Sequence, residues 1–169
     1  MKITFQNYKE SNFDDLKLCL EKLQDFVVEL DPLKRLRRPS TFGKKYTQNL
    51  VKKISKQNGE IILAKDKKKI VGFVVGVIEK QPKSDLLECI PTKSGRVSEL
   101  FVSDKYRGCG IGKQLMQRME KYFKSKKCDV IRIEVFAPNI DAHKFYQQMG
   151  YDDRAIHLIK KIKLASKIY

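Results

Sequence analysis

Three glycines at alternate positions constrain the fold of this chain more than any other feature. Gly108, Gly110 and Gly112 follow an apolar segment that runs from Val97 to Ser103, and they precede a segment with helical periodicity. Because glycine has no Cβ atom, such a stretch bends sharply and leaves its main-chain N–H groups bare. A helix that begins at the last of these glycines adds unsatisfied N–H groups and the positive end of its dipole. The sequence therefore predicts a turn that binds an anion such as a phosphate.

The spacing around these glycines excludes two better-known phosphate-binding loops. A P-loop has a glycine five positions before its Gly-Lys pair and a Ser or Thr after the pair, but Arg107 and Gln114 occupy those positions. A dinucleotide-binding loop has its third glycine three positions after the second, where this chain has Lys113. The acidic residue that it also needs would end the next strand, whereas Asp129 precedes that strand. Neither nucleotide-binding fold fits the sequence.

Two segments of the chain resemble the signatures of one enzyme superfamily. The run Arg107-Gly108-Cys109-Gly110-Ile111-Gly112 is similar to the Arg/Gln-x-x-Gly-x-Gly/Ala signature of the GNAT superfamily of acyl-CoA-dependent N-acyltransferases. The second segment resembles N-x-x-A-x-x-F-Y-x-x-x-G-F, and its matching residues are Asn139, Ala142, Phe145, Tyr146 and Gly150, with Tyr151 in place of the last Phe. The resemblance covers residues 97 to 151; the first half follows the family only in the order of its elements.

The resemblance implies that acetyl-CoA is the acyl donor. In the family, main-chain amides of the glycine turn bind the pyrophosphate of coenzyme A. It also implies that the main-chain N–H of Val102 holds the thioester carbonyl, and that the backbone at Leu100 and Phe101 pairs with the pantetheine arm. The remaining residues expected to bind the donor are Arg107, Gly108, Cys109, Gly110, Ile111, Gly112, Lys113, Asn139 and Tyr146.

Acyl transfer from a thioester to an amine needs a base for the amine proton and an acid for the departing thiolate. Tyr146 stands where the family carries its general acid, so the resemblance implies that role. The alternative for Tyr146 is packing, because an aromatic residue at helical spacing usually belongs to the core. No covalent intermediate is required, since positioning two bound reactants already removes much of the barrier.

Two carboxylates are candidates for the general base. Glu99 is the first choice, because strand alternation places it on one face with Val97 and Phe101, where desolvation raises the pKa of a carboxyl group. Glu134 is the second, on the next strand, where some relatives carry an acid. It shares a face with Arg132, so an ion pair between the two is the alternative to catalysis.

The cysteines give no sign of a metal site. Cys19, Cys89, Cys109 and Cys128 form no C-x-x-C pair and have no histidine at ligand spacing. Cys109 lies in the glycine turn, where a thiolate would be stabilised. A catalytic role for it is disfavoured, because the middle residue of a phosphate-binding turn points its side chain away from the reacting centre.

Periodicity along the chain predicts a mixed α/β fold. A strand, a helix and a strand between 96 and 136 make a crossover unit, so those two strands should be parallel. The resemblance implies a central, largely antiparallel sheet in which this parallel pair splays apart, with about four flanking helices. Strands are expected at 3–8, 60–65, 70–79, 96–103, 130–136 and 151–164, and helices from Ser11 to 30, from Ser40 or Thr41 to 57, after Gly110, and from Asn139.

Length and composition favour one domain that comprises residues 1–169. No apolar run approaches the roughly 18 residues that span a bilayer, and the first residues lack the apolar stretch of a signal peptide. We therefore expect a cytoplasmic protein, as a monomer or homodimer. The chain has 36 basic and 20 acidic residues, which gives a net charge of +16. This charge favours anionic partners, of which coenzyme A is one, although a solvated lysine-rich surface would explain it equally.

The sequence leaves the amine acceptor open. A net charge of +16 disfavours polyamines and aminoglycosides unless the cleft is locally acidic, so a protein amine or a small anionic amine is easier to accommodate. In relatives, the connector between the first two helices borders the acceptor site. The basic connector at 31–39 and the polar loop at 80–95 are therefore predicted to flank the acceptor, with an exposed charged loop as the alternative for the connector.

A second hypothesis belongs to another functional class. A basic module associated with nucleic acid or the ribosome could keep this fold without catalysis, and its binding would weaken steeply with salt. The sequence lacks the interleaved aromatic and basic residues of a base-stacking surface. We therefore rank this hypothesis below the enzyme.

Overall fold

A sheet of five strands forms the centre of the described residues, and its strands lie side by side in the order in which they occur in the chain. The computed structural model describes residues 2–162. Neighbouring strands are antiparallel except the last pair, which is parallel. The strands are β1 (Ile3–Asn7), β2 (Glu60–Asp66), β3 (Lys69–Glu79), β4 (Ser94–Val102) and β5 (Val130–Ile133).

Four α-helices flank this sheet within the described residues. They are α1 (Phe13–Leu30), α2 (Phe42–Lys56), α3 (Ile111–Ser125) and α4 (Ile140–Gln148). The predicted architecture, a mixed sheet with one parallel pair and about four helices, is confirmed. No helix in residues 2–162 is both long enough and apolar enough to cross a membrane.

The sheet is buried on both faces at its centre. On one face, α1 and α2 contribute Leu16, Leu20 and Leu50 to a cluster that includes Phe73 and Phe101. On the other face, α3 covers the sheet with an apolar stripe. β3 has apolar residues at consecutive positions because both of its faces are covered.

Two glycines lie beneath α3 and let it pack closely on the sheet. A Cβ atom at Gly95 would stand 2.6 Å from the ring of Phe123, and one at Gly76 would also stand 2.6 Å from that ring. The absence of side chains at these two positions lets the Phe123 ring lie against the backbone of β3 and β4. This close contact fixes the position of α3, which begins directly after Gly110 of the glycine turn.

The parallel pair β4 and β5 separates early. Its register joins Ser94–Val97 to Val130–Ile133, after which β4 continues to Val102. The prediction of a strand at 130–136 is therefore wrong beyond Ile133. Among the described residues, the edge of β4 that faced β5 lies open from Ser98 onward, which creates the predicted splay between the two strands.

A bulge corrects the predicted faces of β4. Gly76 pairs with Val97 while Val75 pairs with Glu99, so Ser98 is an extra residue between two paired positions. Such a residue reverses the alternation of side chains. As a result, Val97 packs with the α3 side of the sheet, whereas Glu99 lies towards α2 and Phe101 packs on the α1 and α2 side. The prediction that Val97 shares a face with Glu99 is wrong.

Two predicted boundaries also differ. The first helix begins with a 3-10 turn at Glu10–Asn12, so that α1 begins at Phe13 and Ser11 is not its cap. The predicted strand at 151–164 does not form over 151–162, and positions 163 and 164 lie outside the described residues. The apolar residues after Tyr151 are exposed to solvent, with exposed fractions of 82% at Ile156 and 91% at Leu158. An alternating pattern predicts a strand only where a partner strand accepts its hydrogen bonds.

Candidate active site

The glycine turn forms at the start of α3. Gly108 and Gly110 both have φ of +74°, the left-handed region that glycine adopts most easily, and Gly110 caps the helix. A Cβ atom at either position would have no neighbour within 4 Å, so the surface of the turn is open. The first main-chain bond back to the cap is Gln114 N to Gly110 O at 3.1 Å. The N–H groups of the preceding turn are therefore available to an anion.

The free edge of β4 leads into this turn. Ser103 N donates to Val71 O at 2.8 Å, so Ser103 and Val71 are a hydrogen-bonded pair of the antiparallel ladder between β4 and β3. Because bonded and non-bonded pairs alternate, the main-chain groups of Leu100 and Val102 point away from β3 and into the opening. The main-chain groups of Phe101 point instead at β3. The main-chain groups of Leu100 and the N–H of Val102 are thus available to an extended ligand. Phe101 does not fit the predicted pairing with the pantetheine arm, because its main-chain groups are paired with β3.

The Arg107 side chain is oriented by β4 and α1. Its Nε donates to Val102 O at 3.2 Å, and its guanidinium forms an ion pair with Asp104 at 2.9 Å. The guanidinium carbon also lies 5.5 Å from the centre of the Phe26 ring. Arg107 therefore places positive charge at the end of the β4 opening, beside the turn.

Glu99 lies half-buried on the α2 side of the sheet. The hydroxyl of Tyr46 on α2 donates a hydrogen bond to Glu99 Oε1. Burial raises the pKa of Glu99, and the bond from Tyr46 together with the charges of Lys53 and Arg96 opposes this rise. A carboxyl group with a raised pKa in a largely apolar setting has the properties of a general base.

Tyr146 lies on α4 and shares the electrostatic environment of Glu99. Its ring makes edge contacts with Phe145 at 5.2 Å and Tyr151 at 5.9 Å between centroids. Burial, and then the negative charge of Glu99, raise the pKa of Tyr146 to about 12. The phenol is therefore fully protonated near neutral pH. The charge of Glu99 on β4 therefore acts on Tyr146, although Tyr146 lies on a different element, α4.

Glu134 occupies a different environment. It follows the end of β5, its side chain is 77% exposed, and it pairs with Arg96 at 2.9 Å. Arg96 also bonds Glu79 at 3.2 Å, so the guanidinium bridges two carboxylates. The predicted alternative was an ion pair with Arg132. In the structure Glu134 pairs instead with Arg96, which lies beside Arg132 in the parallel register of β4 and β5.

Asn139 has a structural role. Its side chain caps α4 by accepting a hydrogen bond from Ala142 N at 3.3 Å, and Gly150 with φ of +88° follows the helix end. These two residues fix the length of α4 and hence the position of Tyr146.

The basic connector is an ordered turn. Asp31 is buried and accepts bonds from the main-chain N–H groups of Leu33, Arg35 and Leu36, at 3.0, 2.6 and 2.9 Å. These N–H groups hold the pKa of Asp31 below its ordinary value. Arg38 forms an ion pair with Asp25 of α1. The connector thus lies against α1 with its other basic groups exposed.

Tyr46 is the site residue that the sequence did not reveal. Periodicity places it on the apolar stripe of α2 with Phe42 and Leu50, which indicates only a packing role. Its partner Glu99 lies 53 positions away in the chain. No local pattern signals such a contact, although a tyrosine in an apolar stripe carries a hydroxyl that needs a partner when buried.

An open strand edge, a glycine turn at a helix start and a half-buried carboxylate on the same strand form the arrangement that the sequence resemblance implies. The model of the acetyltransferase (GNAT) family matches residues 24–151, which is more than half of the chain. The chain belongs to the acetyltransferase (GNAT) family. The predicted resemblance is therefore confirmed.

Individual relatives agree with this assignment. The chain is 34% identical over 85 residues to an uncharacterized N-acetyltransferase of Methanocaldococcus jannaschii, a match that covers 50% of this chain and 54% of the relative. It is 32% identical over 62 residues to the spermine/spermidine N(1)-acetyltransferase of Bacillus subtilis, which covers 35% of this chain and 41% of that protein. The matches thus span about half, or less, of these relatives.

Solved structures share the fold. The structure of AAC(6')-Iy in complex with the bisubstrate analogue CoA-S-monomethyl-acetylneamine superposes with a TM-score of 0.69 at 15% identity, over 96% of this chain and 100% of that one. A ribosomal-protein-alanine N-acetyltransferase from Brucella melitensis superposes with a TM-score of 0.68 at 16% identity, over 96% and 100% of the two chains. At this identity the likeness concerns the fold.

Two alanine substitutions in the glycine turn should separate backbone strain from packing. Gly110→Ala forces an L-residue into the left-handed region and should lower the free energy of unfolding by about 1 kcal/mol. Gly112→Ala should be neutral or slightly stabilising, since an added Cβ meets the Phe145 ring at an ordinary 3.5 Å and alanine favours helix. Urea denaturation of both variants measures the difference. Equal effects would contradict the strained geometry at Gly110.

Proposed function

We propose that this protein is an acetyl-CoA-dependent N-acetyltransferase that moves an acetyl group to a primary amine by direct transfer. The observation that carries the proposal is the open edge of β4 at 98–102, which leads into the glycine turn at the start of α3. A single extended ligand with a diphosphate at one end fits this path. Family membership supports the same conclusion.

The donor is proposed to lie along this path with its pantetheine arm against β4. Its pantetheine amides would pair with Leu100 and Val102 as an added strand, and its pyrophosphate would meet the N–H groups of residues 108–113. The Val102 N–H would hold the thioester carbonyl. The shared fold with AAC(6')-Iy, whose structure contains a CoA bisubstrate analogue, supports this placement.

Glu99 and Tyr146 are proposed to divide the two proton transfers. The amine nitrogen attacks the thioester carbon, and Glu99 takes the amine proton directly or through a water molecule. The bond from carbon to sulfur then breaks, and Tyr146 gives its proton to the thiolate of coenzyme A. The raised pKa of each group suits its role, because Tyr146 keeps its proton until the thiolate forms, while Glu99 gains affinity for a proton.

The acceptor is proposed to approach from the α1 and α2 side, between the connector at 31–39 and the segment at 80–93. A protein amine or a small anionic amine fits this side best. Lys53, Arg96 and the connector bring positive charge, and the carboxylates of Glu79 and Glu134 are already paired with Arg96. This arrangement disfavours a polyamine, although one relative is named for polyamines.

Acetyl-CoA binding tests the proposal most directly. Saturating acetyl-CoA, at about 100 times its Kd, should raise the melting temperature by roughly 5 °C or more, because the ligand binds only the folded state. The same samples should release free thiol when amine acceptors are added. An unchanged melting temperature with acetyl-CoA would reject the enzyme. Salt-dependent RNA binding in its place would favour the nucleic-acid module.

The two candidate bases form a matched pair of carboxamide substitutions. Glu99→Gln should lower kcat/KM by roughly 10²-fold, since it removes the proton acceptor. Glu134→Gln should change kcat/KM by about 2-fold at most and the free energy of unfolding by less than about 1 kcal/mol, because its ion pair is exposed. Steady-state thiol release measures both.

The pH dependence of activity also distinguishes Glu99 from Glu134 as the base. Activity of the unchanged enzyme should fall as pH drops through the raised pKa of Glu99, because a protonated base cannot accept the amine proton. This acidic limb should persist in Glu134→Gln. Its loss in Glu134→Gln and its survival in Glu99→Gln would reverse the assignment.

Tyr146→Phe should reduce turnover and spare donor affinity. Removing the phenol deprives the leaving thiolate of its proton, so kcat should fall by roughly 10²-fold. The Kd of acetyl-CoA should change by only a few fold, since the ring stays in its contacts with Phe145 and Tyr151. Single-turnover kinetics and calorimetry measure the two quantities. A loss of affinity without a loss of turnover would assign Tyr146 to packing.

A further inference from the structure

We propose that Tyr46 is a positioning residue that holds the Glu99 carboxylate for proton transfer. The inference rests on the proposed function, in which Glu99 is the base. It goes beyond that function by making the base depend on α2, a helix outside both sequence signatures. Tyr46 touches neither reactant in this proposal and acts only through Glu99.

The geometry of α2 delivers the hydroxyl to the carboxylate. Tyr46 donates to Glu99 Oε1, and its ring stacks on Phe42 one turn earlier, with centroids 4.8 Å apart and planes at 17°. Leu50, one turn later, is buried in the cluster beneath α1 and α2. The ring is thus held along the helix face that lies against the sheet, and its hydroxyl has little freedom to leave Glu99.

The position of Glu99 on β4 explains why a second element must hold it. The carboxylate follows the bulge at Ser98, where pairing with β5 has ended. Within residues 2–162, the bond from Tyr46 is the hydrogen bond that the Glu99 side chain makes. One carboxylate oxygen is therefore fixed by Tyr46, and the other is left for an amine or a water molecule.

The charged and titratable groups around Glu99 come from three elements. α2 contributes Tyr46 and Lys53, β4 contributes Arg96, and α4 contributes Tyr146. On β3 the paired residue is the buried Val75. Burial raises the pKa of Glu99, and the bond from Tyr46 is the largest of the effects that oppose this rise. The Tyr46 phenol has a raised pKa of its own, so it stays protonated as the donor.

Direct titration of Glu99 tests the contact without any acceptor. In carbon-13 NMR, the Glu99 carboxyl signal is assigned by its loss in Glu99→Gln. Tyr46→Phe should move the pKa of Glu99 upward, because the carboxylate loses a donor that stabilises its charged form. Tyr122→Phe is the matched control: it removes a hydroxyl bonded to Asn58 O at 2.6 Å, remote from Glu99, and should leave that pKa unchanged. An unchanged or lowered pKa in Tyr46→Phe overturns the proposal.

A second variant keeps the test available if Tyr46→Phe fails to fold. Incorporation of 3-fluorotyrosine at position 46 retains the ring and the hydroxyl and makes the hydroxyl a stronger donor. The pKa of Glu99 should then move downward, opposite to its movement in Tyr46→Phe. A shift upward, or none, overturns the proposal.

A double-mutant cycle tests the catalytic consequence. Tyr46→Phe should lower kcat by about 10-fold and move the acidic limb of kcat/KM to higher pH. In the Glu99→Gln background the same substitution should have no further effect on kcat, because its route to the reaction is gone. Losses that multiply in the double variant would indicate a purely structural role and overturn the proposal.

The failures of the two proposals are distinguishable. A protein that neither binds nor turns over acetyl-CoA rejects the proposed function. An active protein in which Glu99→Gln keeps full turnover rejects Glu99 as the base, and the role of Tyr46 with it. An active protein that needs Glu99 but tolerates Tyr46→Phe at every pH rejects the role of Tyr46 alone.

Discussion

The early end of pairing between β4 and β5 is the constraint on which the rest of the structure depends. The two strands share Ser94–Val97 and Val130–Ile133, and β4 then continues to Val102 with its far edge open among the described residues. Main-chain groups on such an edge have to be satisfied by water or by a ligand. Because the glycine turn follows the same strand, one opening joins the outward-facing peptide groups of β4 to a helix start whose N–H groups are available to an anion. The proposed donor path is therefore a property of the backbone.

The bulge at Ser98 changes the direction in which the residues of β4 face. Before it, Val97 faces α3 and belongs to the apolar layer that anchors that helix. After it, Glu99 faces α2, while the main chain of Leu100 faces the opening. One extra residue thus directs a carboxylate towards one side of the sheet and peptide groups along its edge. Bulges often have this effect beside active sites, since they re-aim a side chain without breaking the strand.

Burial raises the pKa of both Glu99 and Tyr146, and this one effect suits two opposite roles. It raises the pKa of Glu99, which strengthens a base, and it raises the pKa of Tyr146 to about 12, which preserves an acid. The charge on Glu99 contributes to the second effect. Positive groups on α2 and β4 moderate the first. The exposed Glu134, balanced by Arg96, lacks such a setting despite its place beside the same opening.

The sequence by itself determined the glycine turn, the order of strands and helices as far as α4, and the parallel pair, because these follow from local backbone preferences and periodicity. The resemblance of two segments to known signatures indicated the family. The sequence also indicated Glu99 and Tyr146 as candidates for the two proton transfers. It missed the bulge at Ser98, the early end of β5, the absence of a strand over 151–162, and the contact of Tyr46 with Glu99. Each of these depends on which segment lies beside another. A run of residues specifies how it alternates, but only the packed structure decides where a partner strand ends and which buried hydroxyl reaches a given carboxylate.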